Sequence, residues 1–275
     1  MVDGAALLAV VRRRLRERGC AAVAVAYSGG VDSRFLCHAL LRGGLDVLGL
    51  HARGPHVPEA ESRQARRRAR DMGLPLLEVD FRPLDIPDVR ANGPRRCYFC
   101  KAALMRCLRE ALARREAEGD LPRLLCDGSN ADDMASSRPG LQALKEAGIL
   151  SPLAEAGFSK KELRAEGAAT GLEDPQQAAR PCLLTRFAYG VQPAEQTLRQ
   201  LAEAEEALAD LKSPDGRPLL GDFRVRLTPE PLVQAQHLPA DSLPRVDAVM
   251  RRCGLAPWKY REEAVISGLY DRKER

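Results

Sequence analysis

The stretch AVAYSGGVDSRFLCHALL, residues 24–41, has the pattern of a strand, a turn and a helix. A short apolar run ends at Tyr27, the six residues SGGVDS follow, and apolar residues then recur at helical spacing. A turn between a strand and a helix N-terminus presents unpaired backbone N–H groups and the positive end of the helix dipole. Such a turn can hold phosphate oxygens without a lysine.

The residue types in the turn fit a nucleotide that carries phosphates. Gly29 and Gly30 let the backbone approach a ligand closely, and the hydroxyls of Ser28 and Ser33 add hydrogen-bond donors. The spacing excludes a Walker A loop, which needs G-x-x-x-x-G-K-[ST]. Asp32 would repel phosphates unless a metal ion lies between them, so the turn predicts an ATP site with Mg²⁺.

Outward from this stretch, apolar runs alternate with helical patterns. Buried strands are predicted within residues 21–27, 45–51, 74–80 and 123–129, separated by helices near 31–42, 59–72 and 98–118. This order predicts an α/β fold with a parallel sheet and right-handed crossovers. Ligands collect at the carboxyl ends of such strands, where we expect Ser28, His51 and Asp127.

Two of these residues have two open roles each. His51, expected to end the second strand, suits an adenine stacked on its ring, and it equally suits an ordinary strand-end histidine. Asp127 suits a residue that assists the metal, or one that caps the turn made with Gly128.

Beyond residue 190 the pattern changes. A charged helix is predicted within 194–211, strands within 222–229 and 232–239, and a helix near 241–253. We therefore expect a nucleotide-binding domain over residues 1–190 and a smaller α+β domain over 191–275.

Composition excludes several classes of protein. The apolar run near the N-terminus is too short for a membrane span, and its arginines follow that run instead of preceding it as in a signal peptide. We expect a cytoplasmic protein without a membrane partner. The 8 cysteines in 275 residues are too sparse for a disulfide scaffold, so free thiols or metal ligands are expected.

The net charge of +5 allows a polyanionic partner. Arg63, Arg67 and Arg70 share one face of a predicted helix, and a solvated face explains them better than an RNA-binding stripe. A nucleic-acid partner is not expected.

Two further groups of residues carry chemistry. Cys97 and Cys100 form a C-x-x-C pair at the start of a predicted helix, without the second pair or nearby histidine that a zinc site needs. Arg224 and Arg226 are two apart in FRVRL, so on a strand they share a face and can grip a phosphate together. A solvated edge face is the alternative for this pair.

Taken together, these stretches resemble a known family. SGGVDS resembles the PP-loop of ATP pyrophosphatases, whose fold is adenine nucleotide alpha hydrolase-like and which cleave ATP between the α- and β-phosphates. With NGPRRCYFCK, ARPCLLTRFAYG and FRVRL, residues 20–227 resemble the LarE family of sulfur transferases. The resemblance implies adenylation of the carboxylates of pyridinium-3,5-dicarboxylate mononucleotide and replacement of oxygen by sulfur. It also implies substrate-binding residues, namely Thr185, Arg186, Arg224 and Arg226.

The resemblance leaves two sources of sulfur open. Some members sacrifice the sulfur of a cysteine at the position of Cys182 and leave dehydroalanine. Others add the C-x-x-C pair and hold a 4Fe-4S cluster with three thiolates, whose open iron position can carry a transferable sulfide. Because Cys97, Cys100 and Cys182 are all present, the cluster version is favoured. Together with Asp32, these cysteines are the expected catalytic residues.

Other functions stay open. A tRNA thiolase would share the loop and the cysteines, and a non-catalytic sensor of ATP or of a cluster would need only the loop and the C-x-x-C pair. The stretch LVQAQHLP lacks the acid usual in the family, and SGLYDRKER, residues 267–275, lacks its usual ending. A different carboxylated nucleotide is therefore a further alternative. The expected partners are a small nucleotide-like substrate and further copies of the chain in a homo-oligomer.

Overall fold

The computed structural model describes residues 3–135, 139–179, 181–264 and 266. The chain divides into two compact units, each described by itself below. The first comprises Met1–Gly54, Glu61–Phe81 and Cys97–Arg180, and the second comprises Pro55–Ala60, Arg82–Arg96 and Pro181–Arg275. The domain boundary near residue 190 stays a prediction. The stretch 267–275, where the sequence departs from the LarE pattern, lies outside the described residues.

The first unit is built on a parallel sheet. Its strands are β1 (Ala22–Ala26), β2 (Val47–Arg53), β3 (Leu76–Asp80) and β4 (Arg123–Cys126), in the order β3-β2-β1-β4. Each neighbouring pair is parallel. The central β1 is an apolar run because both faces of a parallel sheet are covered. The predicted α/β class with a parallel sheet is confirmed.

Helices cover both faces of this sheet. Val23 and Val25 pack with Leu7, Phe35 and other side chains in one core cluster. Ala24 points the other way and packs with Met105 in a second cluster. The described α-helices of both units, in chain order, are α1 (Gly4–Arg18), α2 (Val31–Arg42), α3 (Glu59–Asp71), α4 (Pro87–Arg90), α5 (Arg96–Ala117), α6 (Ala131–Met134), α7 (Pro139–Glu146), α8 (Pro152–Glu155), α9 (Lys160–Ala169), α10 (Glu195–Ala209) and α11 (Leu243–Arg252). Of these, α4, α10 and α11 belong to the second unit.

One strand end differs from the prediction. His51 was expected to end the second strand, but β2 continues to Arg53. Ala52 and Arg53 pair in register with Val79 and Asp80 of β3, and Arg53 Nε lies 2.7 Å from Asp80 Oδ1. This pairing extends the strand, so His51 lies inside the sheet.

The second unit contains a small mixed sheet. Its strands are β5 (Phe223–Leu227), β6 (Pro231–Ala235) and β7 (Lys259–Glu262), in the order β5-β6-β7. The first pair is antiparallel and the second is parallel. Strands β5 and β6 and helices α10 and α11 lie where the sequence patterns predict them. β7 was not predicted, because KYRE has no apolar alternation and is mostly exposed.

In the described part of the chain, no helix has the length and apolar character needed to cross a bilayer.

Candidate functional site

The SGGVDS turn joins β1 to the N-terminus of α2 and is held by its own serines. Ser28 Oγ lies 3.2 Å from Ser33 Oγ and accepts a hydrogen bond from the Gly30 N–H at 3.3 Å. Ser33 Oγ donates to the Gly30 carbonyl at 3.1 Å. Gly30 is the N-cap of α2 and provides no side-chain acceptor for the first amides of the helix. These amides can therefore serve an anionic ligand.

Two glycines allow the backbones around this turn to approach closely. Gly29 has φ +77°, and a Cβ there would lie 2.7 Å from the Cβ of Ala65 on α3. Gly128 follows β4, and a Cβ there would lie 2.9 Å from the backbone nitrogen of Ser33. Any larger residue at Gly128 would push the end of β4 away from the first turn of α2.

A lysine does reach the turn, from a distant part of the chain. Lys160 Nζ lies 2.6 Å from Oδ1 of Asp32 and contacts Oδ2 as well. Asn130 Nδ2 lies 3.4 Å from the same Oδ1. Lys160 begins α9, whose N-cap Ser159 forms a capping box with Glu162. The S-x-x-E pattern was a readable sign of a helix start, but the contact with Asp32 was missed.

Asp127 directly follows β4, and its carboxylate accepts hydrogen bonds from two hydroxyl groups. Ser129 Oγ donates to its Oδ2 at 2.6 Å, and Ser151 Oγ donates to its Oδ1 at 2.6 Å. The residue is buried. Both carboxylate oxygens therefore stabilise the loops that follow β4, which fits the turn-capping interpretation. A role beside a metal stays a prediction.

The contacts of His51 are those of a buried histidine in the protein core. Its ring is buried, with Nδ1 3.0 Å from the carbonyl oxygen of Tyr27 and Nε2 3.2 Å from Ser62 Oγ. Tyr27 directly precedes the SGGVDS turn, and burial raises the pKa of its hydroxyl group. This geometry supports a role for His51 in holding the start of the turn; stacking on adenine stays a prediction.

Cys97 and Cys100 lie in the first turn of α5, as predicted. At i, i+3 spacing the two side chains share one face of the helix. Cys97 is exposed, Cys100 is half-buried, and neither forms a disulfide.

In the second unit, Cys182 precedes a short 3-10 helix, Leu183–Arg186. Its carbonyl oxygen accepts hydrogen bonds from the N–H of Thr185 at 3.0 Å and from Thr185 Oγ1 at 2.7 Å. Its thiol is half-buried and forms no disulfide. Within the described residues of either unit, no three Cys, His, Asp or Glu side chains converge on a possible metal position.

Three of the four predicted substrate-binding residues, Thr185, Arg186 and Arg226, form one hydrogen-bonded network in the second unit, and both of its arginines are buried. Arg186 makes a bidentate ion pair with Glu205 at 2.7 and 2.8 Å and donates to Thr185 Oγ1 at 3.0 Å. Arg226 donates to Gln234 Oε1 at 2.5 Å, to the Thr185 carbonyl at 3.1 Å and to the Ile266 carbonyl at 2.7 Å. Thr185 thus connects the two arginines.

Arg224 lies on the same face of β5 as Arg226, since Val225 between them points into the core. Its Nη1 donates to Asp222 Oδ1 at 2.8 Å and to the Phe223 carbonyl at 2.5 Å. Thr185, Arg186 and Arg226 are therefore brought together, with Arg224 along the strand from them.

Comparison with protein-family models finds no match. Among curated proteins, an uncharacterized protein of Synechocystis is 36% identical over 66% of this chain and 66% of its own length. An uncharacterized protein of Methanocaldococcus jannaschii is 31% identical over 68% of this chain and 69% of its own. The pyridinium-3,5-bisthiocarboxylic acid mononucleotide synthase of Lactiplantibacillus plantarum is 30% identical over 71% of this chain and 70% of its own.

The chain belongs to the LarE family of this synthase. It spans about two thirds of the length of these relatives. In this LarE-family chain, residues that sequence reasoning missed lie around Asp32 and Asp127, namely Ser129, Asn130, Ser151 and Lys160. Lys160 and Asn130 had local signals, the capping boxes at the starts of α9 and α6.

Proposed function

We propose that this LarE-family chain is an ATP-dependent sulfurtransferase that adenylates the carboxylates of pyridinium-3,5-dicarboxylate mononucleotide and replaces oxygen by sulfur. The observation that carries the proposal is the SGGVDS turn, with uncapped helix amides, Asp32 and Lys160 at the carboxyl edge of a parallel sheet. The relative from Lactiplantibacillus plantarum is named for a bisthiocarboxylic acid mononucleotide, which supports the choice of substrate.

The turn can bind the phosphates of ATP by an exchange of partners. The first amides of α2 and the hydroxyls of Ser28 and Ser33 donate to phosphate oxygens. Lys160 moves its charge from Asp32 to the phosphates, and the carboxylate is then free to bind a cation. Carboxylate and phosphate oxygens are the ligands that Mg²⁺ prefers, so Asp32 fits the ion. Mg²⁺ held there by Asp32 would offset the charge that develops on the leaving pyrophosphate.

The reaction needs two bond exchanges at each carboxylate. A carboxylate oxygen of the substrate attacks the α-phosphorus of ATP, and pyrophosphate leaves with the electrons of the broken P–O bond. A sulfide sulfur then attacks the acyl carbon, and AMP leaves with the original carboxylate oxygen. If the Cys182 thiolate attacks instead, the thioester that forms must also lose its Cys Cβ–S bond by β-elimination: a base takes the Cα proton, and the thiocarboxylate and dehydroalanine result. Backbone amides and Lys160 stabilise the negative charge in the first step.

The residues of the second unit support binding of the substrate phosphate unequally. Arg224 pairs with Asp222, whose side chain is 46% exposed, so a phosphate can replace this partner at small cost. Arg226 donates to three acceptors inside the protein, which a phosphate would have to displace. We therefore assign the direct phosphate contact to Arg224, with Thr185, Arg186 and Arg226 as the scaffold that holds the strand.

By donor type the cysteines fit iron, because three cysteine sulfurs that carry no disulfide are the donor set for a cluster with one open iron position. The described residues do not bring three such side chains together, so the assignment rests on donor type and not on geometry. Cys97 and Cys100 would provide two ligands and Cys182 the third, and a cluster held by them would supply sulfide for the transfer.

Pyrophosphate release tests the ATP chemistry. Anaerobically purified protein with ATP and the dicarboxylate mononucleotide should form pyrophosphate and AMP. Lys160→Ala should raise the KM for ATP about tenfold or more, because a charged hydrogen bond to phosphate is lost. The neighbouring Lys161→Ala is the matched control and should keep the wild-type KM. Release of ADP and orthophosphate, or equal effects of the two variants, would refute this mechanism.

Iron and sulfide analysis tests the source of sulfur. Replacement of Cys97, Cys100 or Cys182 by Ala should each lower bound iron and turnover together, while Cys107→Ala on the same helix should not. If Cys182 is instead consumed, Cys97→Ala and Cys100→Ala keep one round of transfer, and the protein loses the mass of one H₂S.

A further inference from the structure

A cleft in the first unit lies apart from the SGGVDS turn. It has a volume of about 310 Å³ and lies between α2, α3 and the segment 171–173 that follows α9. On the α2 side the cleft is lined by Leu41 and by three basic residues, Arg34, His38 and Arg42, which are spaced by four residues and so share one side of the helix. No residue of the SGGVDS turn lines it.

The floor of the cleft is a pair of buried arginines. Arg34 is fully buried and Arg68 of α3 is 5% exposed. Arg34 donates to the carbonyl oxygens of Glu173 and Asp174 at 2.6 and 2.9 Å, and Arg68 Nη2 donates to Asp174 Oδ2 at 3.0 Å. The remaining donors are Nε of Arg34 and both Nε and Nη1 of Arg68, and none of the three has a hydrogen-bond partner among the residues that the structure describes. Buried donors without acceptors are rare and costly.

The acidic side chains of the cleft do not satisfy these donors. Asp71 and Glu173 also line it, but Arg67 on the outer side of α3 binds both, at 2.9 and 2.6 Å. The Glu173 carboxylate lies 3.7 Å from Arg68 Nε, beyond hydrogen-bond distance. The two buried guanidinium groups therefore have more hydrogen-bond donors than there are acceptors around them.

The electrostatics agree with this geometry. Burial and the neighbouring charge of Arg68 lower the pKa of Arg34. Burial also lowers the pKa of His38, so its ring is uncharged at neutral pH and the positive charge of the cleft comes from arginines. His38 Nε2 lies 3.0 Å from Thr170 Oγ1, which fixes the ring at the rim.

We propose that this cleft binds a small phosphate-type oxyanion, with Arg34 and Arg68 as the floor and Arg42 and His38 at the rim. A volume of about 310 Å³ equals that of about ten water molecules, which is enough for orthophosphate or pyrophosphate. Arginine suits this ligand because its planar donors match phosphate oxygens. The oxyanion would supply acceptors for the unpartnered donors of the floor.

The test uses the full chain saturated with α,β-methylene ATP, so that the proposed ATP site is occupied. Orthophosphate and pyrophosphate are titrated separately by calorimetry, against chloride at equal ionic strength. We expect one additional site for at least one of the two anions. Arg42→Gln should weaken this binding about tenfold, as expected for the loss of one charged hydrogen bond. Arg70→Gln, on α3 but outside the cleft, is the matched control and should bind like the wild type.

Arg68→Gln should abolish the site, with folding checked by circular dichroism. Because Arg68 is buried, this variant can fail to fold; the exposed Arg42 then decides the test alone. The absence of heat above the chloride control for both anions would overturn the proposal. Equal affinities of the wild type, Arg42→Gln and Arg70→Gln would overturn it as well. Neither result depends on whether the chain forms pyrophosphate from ATP.

Discussion

The SGGVDS turn of the first unit and the arginine network of the second unit use charge in opposite ways. Asp32 and Lys160 form an ion pair whose side chains are 28% and 32% exposed, beside helix amides that no side chain caps. Arg186 and Glu205 form a bidentate pair whose side chains are 4% and 17% exposed. An exposed pair exchanges partners at little cost, whereas a buried pair that loses one partner leaves an uncompensated charge. The turn is therefore suited to bind and release a ligand, and the network to hold a strand in place.

Loss of the buried Arg186–Glu205 ion pair should have the largest effect on stability. Glu205→Gln should lower the free energy of unfolding by about 3–5 kcal/mol, because Arg186 keeps its charge and loses its partner. Lys160→Met at the half-buried Asp32–Lys160 pair, which water still reaches, should change it by about 1 kcal/mol or less. Urea unfolding of both variants measures the difference. Equal losses of unfolding free energy in the two variants would contradict the argument that the buried pair contributes more to stability than the Asp32–Lys160 pair.

Asp32→Asn tests the turn as a catalytic site. The variant keeps the shape of the side chain and removes its charge, so the fold should be retained. Pyrophosphate formation should fall about a hundredfold or more, since a metal-bound carboxylate supports several kcal/mol of charge stabilisation. A coupled pyrophosphate assay measures the rate. Wild-type turnover in Asp32→Asn would remove Asp32 from the mechanism.

Substitution of the two adjacent glycines, Gly29 and Gly30, tests the backbone geometry of the turn. Gly29→Ala should destabilise the protein by about 2 kcal/mol, because φ is +77° and the new Cβ would lie 2.7 Å from Ala65 Cβ. Gly30→Ala should cost much less, because φ is −73° and its Cβ would meet only Ser28 Oγ, at 3.4 Å. Thermal unfolding compares them, and a larger loss for Gly30→Ala would contradict the geometry of the turn.

Arg224→Ala tests the assignment of the substrate phosphate. Loss of a charge-assisted hydrogen bond should weaken binding of the dicarboxylate mononucleotide by about 1.5 kcal/mol, the lower end of the range for such bonds, because Asp222 competes for the guanidinium group. Binding of ATP should stay unchanged. Calorimetry with each ligand separates the two, and unchanged affinity for the mononucleotide would rule out the contact.

The smallest effect concerns the ion pair of Arg115 and Asp120, between α5 and β4, whose side chains are 43% and 19% exposed. The hydrogen bond from Arg115, with those from Leu121 N–H and Arg123, lowers the pKa of Asp120 to about 2. An acid with a depressed pKa adds stability above its ordinary value, and this stability is lost as the pH falls through the folded value. The difference in unfolding free energy between the wild type and Asp120→Asn should therefore shrink from pH 4 to pH 2. A difference that is constant over this range would contradict the shift.

Much of the first unit was predictable because its signals are local. The strand, turn and helix over residues 22–42 follow from an apolar run, paired glycines and helical periodicity, and the C-x-x-C pair does begin a helix. The end of β2 was placed two residues early because its extension depends on pairing with β3. Helices α6 to α9 were not predicted; those of four residues are too short to show a period.

The order of strand, glycine turn and helix over residues 22–42 can be read from the sequence alone, since every residue of that motif acts on its immediate neighbours. The side chains that meet the turn depend on the folded chain. Lys160 reaches Asp32 across 128 residues, Gly128 packs on Ser33, and Arg226 donates to Gln234 and to the Ile266 carbonyl. The physical reason is that hydrogen bonds and ion pairs depend on distance in space. Packing of the helices against the sheet sets that distance, and no local pattern records it.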